Sequence, residues 1–87
     1  MSFTFSLELV QLQVDWFVAD QARTAAAKSG DDAAFKAAGQ RLQDLTHKLV
    51  KETRKHETPY QARMALREAA RKAMAGAQAL EADSSGG

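Results

Sequence analysis

The 87-residue chain has no cysteine, no isoleucine and no asparagine, and its one proline is Pro59. Without Cys there is no disulfide framework, no thiolate metal site and no thiol nucleophile. The missing Ile and Asn, beside abundant Ala and Arg, fit a GC-rich bacterial or phage genome. No run of about 18 apolar residues occurs, so no segment reads as membrane-spanning and no membrane partner is expected. Met1 to Ser6 carries no basic residue, and Glu8 and Asp15 interrupt the apolar stretch that follows. That pattern argues against a secretory signal and toward a cytoplasmic protein. The formal net charge is only +1. A partner held by bulk charge alone is therefore not indicated.

Hydrophobic residues, by contrast, are plentiful but unevenly spread. Of the 45% that are hydrophobic, nearly half are alanine, and ten of the larger apolar residues fall between Phe3 and Val18. Two breaks divide the chain. At Ser29-Gly30-Asp31-Asp32, Gly30 suits a left-handed helix end and either aspartate suits the next cap. At Thr58-Pro59-Tyr60-Gln61, Thr58 fits an N-cap, Pro59 the first helical position and Gln61 the far side of a capping box. Asp83 to Gly87 reads as a disordered tail. A single domain over residues 1–82 follows, with helices at about 7–28, 32–56 and 59–82.

The second segment steps by three and four through Phe35, Ala38, Leu42, Leu45 and Leu49, one stripe of a helix. The third carries Ala62, Leu66, Ala69, Ala70, Ala73, Ala77 and Leu80 on one face, a stripe that approaches closely but buries little area. The first segment admits two readings. As a strand, Phe3, Phe5, Leu7 and Leu9 alternate with polar residues, and a strand there would have to pair between chains. As a helix, Phe3, Leu7, Val10, Val14 and Phe17 form one stripe, and Phe5, Leu9, Leu12, Trp16 and Ala19 a second on the opposite side. Ser6 caps that helix and Glu8 favours its first turn, with Met1 to Phe5 extended. The helix is the reading adopted. The fold class is then all-α, a three-helix bundle or a long antiparallel hairpin with a packed third helix. Either reading leaves the first segment with more apolar surface than one small chain is equipped to cover.

Reactive groups do not converge. His47 and His56 are nine residues apart on one helix and point to opposite sides, so they cannot share a metal. His56 reads as closing the end of the core, and His47 as solvated. Asp31 and Asp32 are capping residues, and no nucleophile or phosphate-loop motif is present. No enzyme activity, cofactor, metal or small-molecule substrate is expected.

Charge, however, is segregated. Residues 1–34 carry a net −3 and residues 41–72 a net +5. Arg41, Lys48, Lys51 and Lys55 share an edge of the second helix with Asp44 and Glu52, with Asp44 four residues before Lys48 for a surface pair. Arg63, Arg67 and Arg71 form an i, i+4, i+8 row on the third helix, flanked by Tyr60 and Met64. Arg, Tyr and Met are residue types enriched in protein interfaces. The expected function is a non-enzymatic interaction module: an adaptor, inhibitor or assembly subunit that forms a homodimer or binds a larger protein. Phe3, Phe5, Leu9, Leu12 and Trp16 are its expected apolar contact, and Tyr60, Arg63, Met64, Arg67 and Arg71 its polar one. The alternative is a nucleic-acid-binding regulator that sets the arginine row on phosphates.

Overall fold

A computed structural model describes the backbone of residues 3–86 and the side chains of residues 3–76. The chain is an all-α three-helix bundle with α1 (Leu7–Ser29), α2 (Asp32–Thr53) and α3 (Pro59–Gly86). No strand occurs among the described residues, so the inter-chain strand reading of the N-terminus does not hold. The local reason is the cap: Ser6 is extended and its Oγ accepts from the Leu9 N–H at 3.1 Å, starting α1 at Leu7. Alternation in Phe3–Leu9 is therefore overridden by a helix start two residues before it would end. Phe3 to Ser6 precede the helix without regular secondary structure.

Gly30 ends α1 in the left-handed region, at φ 74°, and its N–H donates to the Ala26 carbonyl. The Asp31 N–H reaches the same carbonyl at 3.0 Å, the longer bond of a Schellman-type stop. Asp31 then caps α2 by accepting from the Ala34 N–H at 3.1 Å. One glycine and one aspartate thus reverse the chain. α1 and α2 form an antiparallel hairpin, in which Leu9 and Leu12 lie beside Glu52 while Ala19 packs with Leu42 and Leu45.

Two helix ends and one cap differ from the sequence reading. α2 ends at Thr53 rather than His56; Thr53 is fully buried and its hydroxyl donates back to the Leu49 carbonyl at 2.8 Å. The Arg54–Thr58 corner follows, closed by i→i+3 bonds from Lys55 to Glu52 and from His56 to Thr53. α3 starts at Pro59 as expected, but no capping box forms among the described residues. Its first turn is closed instead by the Thr58 carbonyl accepting from Ala62 at 3.0 Å and by Arg63 Nε donating to the Pro59 carbonyl. α3 also continues to Gly86 rather than stopping at Ala82, since no proline intervenes and Asp83-Ser84-Ser85 costs a helix only tenths of a kcal/mol per residue. The disordered-tail reading of Asp83 to Gly87 otherwise concerns side chains, and a last residue, outside the described set.

Core packing is thin. Ala19, Leu42 and Leu45 form the buried hairpin cluster, with half-buried Leu12 and Trp16 against it. On α3, Ala62, Leu66 and Ala70 are fully buried, but Ala73, Ala75 and Gly76 are exposed. Among the described side chains the expected alanine stripe is buried as far as Ala70, with Ala69 half-buried and Ala73 exposed; Ala77 and Leu80 lie outside the described side chains. A 28-residue helix is about 42 Å long. The molecule measures 42 × 39 × 17 Å, too wide for three helices lying side by side, so α3 crosses the hairpin and projects beyond it.

Candidate partner-binding surface

The apolar N-terminal segment is drawn largely into the chain's own packing. Phe3 and Phe5 stack with ring centroids 6.0 Å apart, and His56 sets its ring edgewise to both, at 5.6 and 5.9 Å. His56 does close one end of the molecule, but from the corner beyond α2 rather than from the Leu42-Leu45-Leu49 line. His47 is exposed.

Trp16 sits at the junction of the three helices. Its Nε1 donates to Thr46 Oγ1 at 2.7 Å, Phe17 meets its ring edge-on at 5.7 Å, and the Arg67 guanidinium lies over its face at 5.8 Å. One α-helix reaches two neighbours here because α2 packs on the Leu12-Trp16-Ala19 stripe while α3 packs on the flank carrying Gln13 and Phe17. Both apolar stripes of α1 are therefore engaged, and eight of its ten large apolar neighbours between Phe3 and Val18 are half-buried. The two left exposed are Leu7, at 88%, and Val18, at 52%. The buried polar Gln13, at 4% exposure, was not legible in the sequence, where its neighbours are the apolar signal.

The arginine row is also partly occupied. Arg71 lies over the Phe17 ring at 5.5 Å and meets Glu68 at 3.8 Å. Arg67 covers Trp16, and Arg63 is tied to the Pro59 carbonyl. On the outer side of the same helix, Tyr60 is 71% exposed and Met64 is 43% exposed. Phe35, placed on the α2 stripe, is 43% exposed instead, because the facing end of α1 is Ala25-Ala26-Ala27 and offers nothing large to meet it.

The α2 edge is a solvated face with different pairings from those expected. Asp44 accepts from the Gln40 amide at 3.3 Å rather than pairing with Lys48, and Arg41 approaches Asp15 across the hairpin at 4.0 Å. No group of three or more metal-ligating side chains occurs among the described residues. Nor is any described helix long and apolar enough to cross a membrane.

Comparison with protein-family models, curated proteins and solved structures finds no match to this chain.

Proposed function

We propose that the protein is a non-enzymatic helical interaction module that self-associates or docks on a larger protein. The observation that carries this reading is the expanded shape. A compact 87-residue domain has a radius of gyration of about 12 Å, whereas this chain measures 15.0 Å. Small domains already bury a low fraction of their surface, and a chain as extended as this one gains more than most from a partner. Among the described residues, four of the five exposed large hydrophobic side chains, Leu7 and Val18 on α1 and Tyr60 and Met64 on α3, belong to the two helices on which the partner face is proposed; the fifth, Phe35, is on α2. Phe3, Phe5 and Leu9 border it, while Leu12 and Trp16 support it from within.

Sedimentation over a micromolar concentration series tests the proposal, with Leu7→Ser/Met64→Ser as the comparison. Self-association that is lost in the double variant supports it. A monomer at every concentration that also retains no protein from a host extract overturns it. Binding to random duplex DNA that falls steeply with salt replaces it with the nucleic-acid reading.

A further inference from the structure

Between α1, the end of α2 and the start of α3 lies a recess of about 110 Å³ lined by Gln13, Trp16, Thr46, Leu49, Val50, Arg63 and Arg67. We infer that this recess is an anion site, built to take a single carboxylate from an acidic segment of a protein partner. The inference rests on the interaction-module reading and names the chemistry its partner must supply.

Two half-buried guanidinium groups line the recess, and among the described residues neither has a carboxylate within ion-pair distance. The nearest arginine in the row differs: Arg71 is paired with Glu68 and does not line the recess. Two like charges on one small recess repel each other, and walls of Leu49 and Val50 weaken the screening that water would provide. An anion between them removes that penalty. Both arginines are also held in place. Arg63 spends only its Nε, on the Pro59 carbonyl, which leaves its terminal N–H groups to donate. Arg67 spends its π face on Trp16, which leaves the in-plane N–H fork. A planar fork with its face stacked is the arrangement that binds a carboxylate in two parallel hydrogen bonds. Gln13 and Thr46 line the same recess, and Thr46, whose Oγ1 accepts from Trp16 Nε1, keeps its hydroxyl hydrogen to donate.

A protein carboxylate suits this geometry better than a nucleic-acid backbone. A backbone presents phosphates in series and requires cations in series. Here Arg71 stands outside the recess, over Phe17 and beside Glu68, so only Arg63 and Arg67 share an anion position. The recess offers one anion position.

Trp16 is the only tryptophan in the chain and forms one wall, so its fluorescence reports directly on occupancy. The full-length protein is titrated at constant ionic strength with acetate, inorganic phosphate, a tetraglutamate peptide and a tetraglutamine peptide. Saturable change in Trp16 emission with tetraglutamate, a weaker one with acetate and none with tetraglutamine is the expected result. Arg63→Gln should weaken tetraglutamate binding at least about tenfold, the loss of a charge-assisted pair. Lys72→Gln removes the same charge from an exposed position and should leave the affinity unchanged. No saturable change in the parent protein overturns the inference without recourse to any variant. So does equal loss in Lys72→Gln and Arg63→Gln, which marks a general charge effect, or tighter binding of phosphate than of tetraglutamate. Any of these can occur while self-association persists, so failure here is separable from failure of the interaction-module reading.

Discussion

Replacing Trp16 by alanine distinguishes a structural anchor from a partner hot spot. The side chain makes one hydrogen bond across the hairpin, to Thr46 at 2.7 Å, and packs on the Ala19-Leu42-Leu45 cluster. It also carries Arg67 over one face and Phe17 at its edge. Truncation of a large aromatic core residue costs about 3–5 kcal/mol, and half-burial places Trp16 at the low end, about 3 kcal/mol. The separate contributions of stacking, cation and hydrogen bond are contained in that figure rather than added to it. A chain of this length has a total stability of about 4–13 kcal/mol. The loss thus removes a quarter to most of the stability, and lowers Tm by about 12–24 °C for a domain of this size. Thermal melting followed by helical circular dichroism measures it. Trp16→Phe keeps a ring but loses the bond to Thr46, for about 1 kcal/mol, and Thr46→Val combined with it should add little, since both changes remove the same bond. If Trp16→Ala melts within about 4 °C of the parent, less than about 1 kcal/mol is lost and the anchor role is refuted.

Two glycines give opposite predictions from the same substitution. Gly30→Ala puts a side chain at φ 74° and should cost about 1–2 kcal/mol, whereas Gly39→Ala adds a methyl group that meets nothing within 4 Å and should stabilise α2 by about 0.5–1 kcal/mol. Chemical denaturation of both variants checks the sign, and two changes of the same sign would contradict it. Leu66→Ala empties the one fully buried large side chain among the described residues of α3 and should cost about 2–5 kcal/mol. Amide exchange should then rise in α3 before it rises in the α1–α2 hairpin; simultaneous loss would show that the three helices unfold as one unit.

Local chemistry made much of the fold readable. Ser6, Gly30 and Asp31 each occupy the position their backbone preference dictates, so α1, its end and the start of α2 follow from single residues. The Leu42-Leu45-Leu49 stripe is buried for the same reason, as helical spacing alone puts these residues on one side. The candidate site was less readable. Charge spacing identified Arg63 and Arg67 as one row with Arg71, but not that Arg71 stands beside Glu68 while the other two line a shared recess. Gln13 gave no signal either, because a polar residue at an inward position is visible only once its neighbours are placed.

Sequence by itself determined three helices, their order and an apolar excess at the N-terminus, because caps, turns and periodicity act over a few residues. Tertiary structure alone decided how that excess is used. α1 packs α2 on one side and α3 on another, so the two opposed stripes that looked surplus are mostly half-buried within the chain. Among the described residues, the large hydrophobic side chains left uncovered are Leu7 and Val18 on α1, Phe35 on α2 and Tyr60 and Met64 on α3, and α3 is exposed at Ala73, Ala75 and Gly76. The cause is geometric: an alanine face permits close contact between α3 and the hairpin but buries little area per residue.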